Sequence, residues 1–295
     1  MDPNEQMLIV RSGDLSFEIA PALAARVTRM SYQGHNLLVG AEVNPNNWGA
    51  TYWTSPQADW GWPPVPEVDA APYEASEQGT GVRLTSPVAQ IGHRVFQVEK
   101  TFAQGPHVGA IDTCYSIVNR GDVEFKMANW EIARVHPRGV TFFPTGQAEL
   151  SPVVPHSFMK TSKMSGATFY DHQRFELGSS LKLHADGQEG FLAHATPSHL
   201  ILKLFRDTLP EQQAPGEGEC EIFANFDGKY VEIEVQGPYA TIAPGARSEF
   251  KVRTAVLELP ASLSLSDWEG LLAFARAQAK IFALPDLHKP WESER

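Results

Sequence analysis

Short stretches in which apolar and polar residues alternate recur along the sequence, and this pattern most limits the possible folds. Residues 15–19, 95–102 and 231–235 alternate with a period of two, which is typical of strands with one buried face. Turn-forming residues separate such stretches, and Asn-Arg-Gly-Asp at 119–122 favours a hairpin. The sequence therefore predicts an all-β fold, a large antiparallel β-sandwich.

Only one segment of the sequence clearly favours a helix. Residues 266–283 carry apolar side chains at helical spacing, and Pro285 follows them. Ser266 is predicted to be the N-cap, and Glu269 three residues later would complete a capping box. We expect this C-terminal helix to pack on one edge of the sheet structure.

The chain of 295 residues is predicted to form one domain. It contains no internal repeat, and its two linker-like stretches, 58–72 and 210–218, are too short to separate two domains. We therefore predict a single β-sandwich domain over residues 1–295.

The aromatic segment, which we define as residues 46–64, is the most unusual part of the sequence. It contains four of the seven tryptophans: Trp48, Trp53, Trp60 and Trp62. Prolines at 56, 63, 64 and 66 oppose regular structure, because proline lacks a backbone donor, so we predict a long stiff loop. Long loops in compact domains are usually functional, and aromatic faces beside amide side chains such as Asn47 suit a sugar. Alternatively, the loop covers one end of the core, and both interpretations can hold.

The charge balance argues against several kinds of partner. The chain has 24 basic and 35 acidic residues, a net charge of −11, whereas nucleic-acid binding requires a basic surface. Aromatic side chains also stack on single-stranded bases, but the negative charge disfavours that partner too. The sequence lacks a signal-peptide pattern, and no apolar run approaches the roughly 20 residues that span a bilayer. These features predict a cytoplasmic protein with no nucleic-acid or membrane partner.

Motifs for common cofactors and metals are absent from the sequence. It has no phosphate-binding loop, no Gly-x-Gly-x-x-Gly, no His-Glu-x-x-His and no Gly-x-Ser-x-Gly. The ten histidines are scattered without metal-ligand spacing, and the two cysteines, Cys114 and Cys220, are predicted to be buried thiols. We therefore predict no cofactor and no metal ion.

Two glutamates are the main candidates for acid–base chemistry. In the stretch 230–236, Glu232 and Glu234 face one side of a predicted strand while the valines and isoleucine between them face the other. Neighbouring carboxylates raise one another's pKa, which suits a general base; the alternative is a polar face turned to solvent. Glu131, beside Trp130 in an apolar stretch, needs a partner if it is buried. Several basic residues within predicted strands can pair with these glutamates or contact a ligand: Arg94, Lys182, Lys203 and Arg206.

Several motifs, taken in their order along the chain, resemble the galactose mutarotase-like superfamily. The similarity is greatest to a poorly characterised branch related to aldose 1-epimerases and covers roughly residues 8–258. The motifs are Ala-Ala-Arg-Val at 24–27, Gly-His-Asn-Leu-Leu at 34–38, the aromatic stretches at 53–56 and 62–64, Tyr-Ser-Ile-Val-Asn at 115–119, Tyr-Val-Glu-Ile-Glu at 230–234, Gly-Pro at 237–238 and Ile-Ala-Pro-Gly at 242–245.

The resemblance implies a β-supersandwich that holds a sugar in a concave groove. In aldose 1-epimerases a glutamate near the C-terminus takes the proton of the anomeric hydroxyl, a histidine protonates the ring oxygen, and ring opening exchanges the anomers. The glutamate corresponds to Glu232, with Glu234 as the second choice. The residues expected to contact the sugar are Asn47, Trp48, Trp53, Trp60, Trp62, Arg94, Trp130 and Lys182.

One departure from the epimerase pattern affects the expected chemistry. Epimerases carry Asn-His-x-Tyr-Phe on the strand after the hairpin, but here Trp130 stands in place of the histidine. Tryptophan cannot donate a proton in acid catalysis, and possible substitutes are Glu131, His93 and His136. Three functions stay open: an aldose 1-epimerase-like isomerase, a non-catalytic carbohydrate-binding protein that lacks the epimerase histidine, and a lyase or other isomerase using Glu232 and Glu131.

Overall fold

The computed structural model of the protein describes residues 7–79, 81–147, 157–174 and 180–285. Strands dominate these residues, and two α-helices accompany them. The strands are β1 Leu8–Ser12, β2 Leu15–Ala20, β3 Arg26–Tyr32, β4 His35–Asn36, β5 Ala50–Ser55, β6 Glu74–Gln78, β7 Gly81–Ile91, β8 Arg94–Gln104, β9 Ala110–Asn119, β10 Phe125–Val135, β11 Val140–Pro144, β12 Ser157–Phe158, β13 Ser162–Met164, β14 Ala167–Asp171, β15 Leu181–Ala185, β16 Phe191–Ala195, β17 His199–Phe205, β18 Cys220–Ala224, β19 Val231–Gln236, β20 Ala240–Ile242 and β21 Arg247–Glu258. The helices are α1 Pro66–Asp69 and α2 Trp268–Ile281.

The strands form two large sheets that pack face to face. Sheet 1 has the order β1-β2-β3-β5-β10-β19-β18-β15-β12, with β4 on β3 and β20 on β10; sheet 2 has the order β13-β14-β11-β16-β17-β21-β9-β8-β7-β6. Strand pairs are antiparallel throughout the described residues except for the parallel pair of β12 with β15. The predicted all-β antiparallel sandwich is therefore confirmed.

The core lies between the two sheets, and β19 contributes every second side chain to it, which explains why apolar and polar residues alternate in this strand. Val231, Ile233 and Val235 pack in the same buried cluster as Phe205 and Val252 of sheet 2. Because successive side chains on a strand point to opposite faces, the residues between these three point to the outer face of sheet 1. The fold therefore positions two glutamates on one face, as the sequence predicts.

Helix α2 packs on the outer face of sheet 2. Leu271, Leu272 and Ala275 are buried in one cluster with residues of sheet 2, including Phe142 and Leu202. In the described residues, no helix is both long and apolar enough to cross a membrane.

The start of α2 differs from the sequence prediction. The helix begins at Trp268, and its N-cap is Asp267, whose carboxylate accepts a hydrogen bond from Gly270 N at 3.0 Å. The predicted N-cap, Ser266, lies one residue earlier, and its hydroxyl contacts that of Ser264 at 3.0 Å. Serine and aspartate are about equally good N-caps, so local sequence does not decide between them.

The two cysteines are free thiols. Cys220 is fully buried at the start of β18, as predicted, but Cys114 on β9 is only partly buried. Burial raises the pKa of Cys114 to about 11, which keeps this thiol protonated.

Candidate functional site

Part of the aromatic segment is a strand, which corrects the predicted loop. Residues Ala50–Ser55 form β5, which pairs with β10 so that Trp53 lies opposite Trp130. The first proline of the segment, Pro56, follows β5 directly, so residues 50–55 carry no proline that would oppose a strand. After Pro56 the chain forms a short 3-10 turn, Gln57–Asp59. The irregular part of the segment is thus shorter than predicted.

Three tryptophan rings surround that of Trp53 in edge-on contacts. The ring centroids of Trp130, Trp60 and Trp62 lie 5.3, 5.8 and 5.7 Å from Trp53. Trp53 and Trp130 are buried, whereas Trp62 is 57% exposed. Indole groups therefore cover part of the outer face of sheet 1, and Trp62 is the ring most open to a ligand from outside.

Side chains of four neighbouring strands, together with Glu217 from the turn before β18, form what we call the carboxylate face, on the outer side of sheet 1. In register, Glu234 of β19 lies opposite Glu221 of β18, and Glu221 lies opposite His184 of β15. The members of the carboxylate face are Trp130, Arg134, Lys182, His184, Glu217, Glu221, Glu232, Glu234 and Gln236, and all of them are buried.

The two predicted glutamates have different partners on this face. Arg134 Nε lies 2.8 Å from Glu232 Oε1. Glu234 is bound at both oxygens: Trp130 Nε1 donates to Oε2 at 2.9 Å, and Lys182 Nζ donates to Oε1 at 2.5 Å. Glu232 thus lies beside a guanidinium, whereas Glu234 is fully buried with a partner at each oxygen.

Burial and neighbouring charges shift the pKa values on the carboxylate face. Burial raises the pKa of Glu234 to about 8, although Lys182 opposes that rise. Burial and then Glu221 raise the pKa of Glu217 to about 9. Burial also opposes ionisation of Glu221, but Lys182 and His184 outweigh it and hold its pKa below the usual range. These surroundings favour the protonated form of Glu217 and Glu234 and the ionised form of Glu221.

Four members of the face were missed by the sequence analysis: Arg134, His184, Glu217 and Glu221. Glu217 lies in the turn before β18, where Gln57 N donates to its Oε1 at 2.9 Å and so joins it to the aromatic segment. A weak sequence signal existed, because residues 217, 219 and 221 are glutamates at a spacing of two. It did not indicate which other strands would face them.

Glu131 lies away from the two glutamates of β19. It points to the opposite face of sheet 1, between the sheets, where Lys203 Nζ lies 2.5 Å from its Oε2. Lys203 also donates to the carbonyl of Ile233 at 3.0 Å. Glu131 and Trp130 are adjacent in sequence, so their side chains lie on opposite faces of β10.

The remaining predicted sugar contacts are dispersed. Asn47 hydrogen-bonds the side chain of Tyr230, whereas Trp48 is buried under the guanidinium of Arg26, 5.0 Å from its ring centroid. Arg94 pairs with Asp59 at 3.1 Å. These contacts do not assemble Trp48 or Arg94 with the carboxylate face.

A cleft of about 600 Å³ lies elsewhere, at one end of the sandwich. Its lining includes His136, Arg138, His194 and His199, and no member of the carboxylate face. His136 is exposed there. His194 is buried in the cleft wall, and its ring nitrogen contacts the hydroxyl of Thr141 at 3.0 Å.

Several solved structures with the same fold are described as galactose mutarotase-like or epimerase proteins. A galactose mutarotase-like protein from Lactobacillus casei aligns over 85% of this chain and 100% of its own, with a TM-score of 0.62 and 11% identity. A galactose mutarotase related enzyme from Lactobacillus acidophilus aligns over 88% and 100%, with a TM-score of 0.59 and 10% identity. Galactose 1-epimerase from Lactobacillus acidophilus aligns over 88% and 96%, with a TM-score of 0.52 and 9% identity.

No protein-family model matches the sequence, and no curated protein matches it significantly. At these identities the structural likeness defines the fold alone. The chain has the galactose mutarotase-like fold, which confirms the predicted resemblance at the level of structure.

Proposed function

We propose that the protein binds a sugar at the carboxylate face and interconverts its anomers as an aldose 1-epimerase-like isomerase. The observation that carries this proposal is the pair of glutamates on one face of β19, one bound to Arg134 and the other to Trp130 and Lys182. Two carboxyl groups in different surroundings can serve as a base and an acid. Neighbours in the same fold that are described as mutarotases and epimerases support a sugar as the small-molecule partner.

In this proposal Glu232 is the general base and Glu234 is the general acid. Glu232 takes the proton of the anomeric hydroxyl, and Glu234, with its pKa raised to about 8 by burial, gives a proton to the ring oxygen. The bond between the anomeric carbon and the ring oxygen breaks, the C1–C2 bond rotates, and ring closure reverses both proton transfers. Glu234 thus replaces the epimerase histidine, whose place is taken by Trp130.

The sugar must reach a face that the aromatic segment covers. Glu232 is only 6% exposed, and the segment is held to the face by the hydrogen bond from Gln57 N to Glu217. We expect the sugar to enter beside Trp62, because this exposed ring borders the buried ring of Trp53. Entry then requires residues 56–62 to move away from the face.

Anomer exchange of pure α-D-galactose and α-D-glucose, followed by NMR, tests the proposed activity. We expect the protein to accelerate exchange above the buffer rate, and Glu232→Gln to reduce that acceleration about 10²–10⁴-fold through loss of the base. Glu124→Gln is the matched control, because it makes the same charge change at an exposed position next to β10. No acceleration by the wild-type protein for any aldose tested would refute the enzymatic proposal.

A non-catalytic carbohydrate-binding protein is the second candidate, and the tryptophan at position 130 favours it. This alternative predicts sugar binding without accelerated anomer exchange. A thermal-shift screen of monosaccharides, sugar acids and oligosaccharides measures binding directly, since a ligand at a hundred times its Kd adds about 2.7 kcal/mol of stability. Binding that survives Trp62→Ala and Trp53→Ala unchanged would contradict a role for the aromatic segment in both candidates.

A further inference from the structure

One histidine and two glutamates of the carboxylate face lie close together near the start of β18. His184 Nδ1 lies 3.3 Å from Glu221 Oε1 and 3.7 Å from Glu217 Oε2. One ligand atom of each of the three residues lies within 4.8 Å of the others. All three side chains are at most 2% exposed. The arrangement is therefore a buried set of one imidazole and two carboxyl groups that converge on one point.

Nδ1 of the buried His184 imidazole contacts the carboxyl groups of Glu221 and Glu217, whereas Nε2 has no hydrogen-bond partner among the described residues. A buried polar group without a hydrogen bond is costly and calls for an explanation. Its distances to the two carboxyl oxygens are longer than usual hydrogen bonds. They match the edge of about 3.4 Å expected between ligands arranged tetrahedrally about 2.1 Å from a metal ion.

Other groups hold the two carboxyls in place. Gln57 N donates to Glu217 Oε1, and Lys182 Nζ lies 2.7 Å from Glu221 Oε2. The oxygens that lie near His184 are Oε2 of Glu217 and Oε1 of Glu221. Glu221 Oε1 also accepts from Gly218 N and from the side chain of Gln236. Such supporting hydrogen bonds are usual around metal ligands, because they fix the orientation of each ligand.

The chemistry of the three side chains limits the kind of cation that the site would take. An imidazole ligand favours transition metals over Mg²⁺ and Ca²⁺, which prefer oxygen ligands alone.

We propose that His184, Glu217 and Glu221 bind a divalent transition-metal ion such as Zn²⁺. No sequence spacing predicts this site, because the ligands come from β15, from the turn before β18 and from β18 itself. Lys182 bridges Glu221 to Glu234, so the metal site adjoins the proposed acid and base without including them. The proposal does not rest on sugar binding and concerns the metal ion alone.

Zinc titration of the purified full-length protein tests the site. The protein is treated with a chelator, dialysed, and titrated with Zn²⁺ alone in a calorimeter; metal analysis after dialysis gives the stoichiometry. We expect one Zn²⁺ per chain, and His184→Leu should weaken binding on the order of a hundredfold or more, since a ligand is removed. His199→Leu is the matched control, because this half-buried histidine lines the separate cleft, and it should bind as the wild type does.

A second variant keeps the test decisive if His184→Leu fails to fold. Glu217→Gln keeps the size of the side chain and removes only its negative charge, and circular dichroism checks that it is folded. We expect this variant to lose at least tenfold in Zn²⁺ affinity. Absence of stoichiometric Zn²⁺ in the wild-type protein would overturn the proposal, as would wild-type affinity in either folded variant.

Discussion

The indole N–H of Trp130 donates a hydrogen bond to Oε2 of Glu234 over 2.9 Å, across the pair of strands β10 and β19. Lys182 binds the other oxygen of the same carboxyl, and all three side chains are buried. Position 130 corresponds by resemblance to the histidine of aldose 1-epimerases. In our proposal its side chain orients the carboxyl that supplies the proton, instead of supplying the proton itself.

Replacing Trp130 with phenylalanine removes that donor and keeps an aromatic ring against Trp53. We expect Trp130→Phe to lower the free energy of unfolding by about 1–3 kcal/mol, because a buried acceptor loses its partner. Urea denaturation measures the change. The control is Trp62→Phe at the exposed edge of the cluster, which should change stability by less than about 0.5 kcal/mol. Equal losses in the two variants would contradict a stabilising role for the hydrogen bond.

The ion pair of Glu131 with Lys203 lies between the sheets. We expect that removing both charges together destabilises the protein less than removing either charge alone would suggest. Glu131→Gln or Lys203→Met alone leaves one charge buried without its partner, which should cost about 3–5 kcal/mol. The double variant removes both charges and should cost much less than the sum of the two single changes. A double-mutant cycle from urea denaturation measures this coupling. Additive losses would mean that the two groups do not interact in the folded protein.

The sequence predicted the parts of this site that depend on a single strand. Alternation in residues 231–235 is local, so it indicated that Glu232 and Glu234 share a face whatever the neighbouring strands are. The same rule could have excluded Glu131 from a site centred on Trp130, because adjacent residues on a strand face opposite sides. The prolines of the aromatic segment indicate a loop, but they all follow residue 55, so they do not prevent residues 50–55 from forming a strand that carries Trp53.

The parts of the site that were not predicted depend on how distant strands pair. His184 meets Glu221 only because β15 pairs with β18 in a register that sets these two residues opposite each other. Nothing in the spacing of 37 positions between them indicates that register. Glu217 joins them because the turn before β18 folds toward the face, where the backbone of Gln57 meets it.

The side-chain amine of Lys100 is buried, and the contacts of its Nζ are with uncharged groups. Its Nζ donates to the carbonyl of Ala24 at 2.6 Å and lies 5.5 and 5.0 Å from the ring centroids of Tyr52 and Tyr73. Burial lowers the pKa of Lys100 to about 7, although Asp69 opposes the shift. Because the folded pKa lies below that of the unfolded chain, the unfolded state binds more protons between the two values, and stability rises with pH there.

Lys100→Met should remove this contribution to the pH dependence. Between pH 7.5 and 9.5 the wild-type protein gains stability relative to the variant by up to about 1.4 kcal/mol per pH unit. The comparison with the variant is necessary because the raised pKa values of Glu217, about 9, and Glu234, about 8, make stability fall as pH rises up to those values, which overlaps the lower part of this range. Urea denaturation of both proteins at three pH values gives the difference. A difference that is constant with pH would show that Lys100 does not titrate in this range.

The N-cap of α2 gives a prediction that separates two adjacent residues. Asp267→Ala removes the carboxylate that accepts from Gly270 N, and should lower the free energy of unfolding by about 1 kcal/mol. Ser266→Ala is the matched control, because the sequence favoured that serine as the cap, but in the structure it lies before the helix. Thermal and urea denaturation of both variants measure the effect. A larger loss from Ser266→Ala than from Asp267→Ala would mean that the helix begins one residue earlier, as the capping-box pattern predicts.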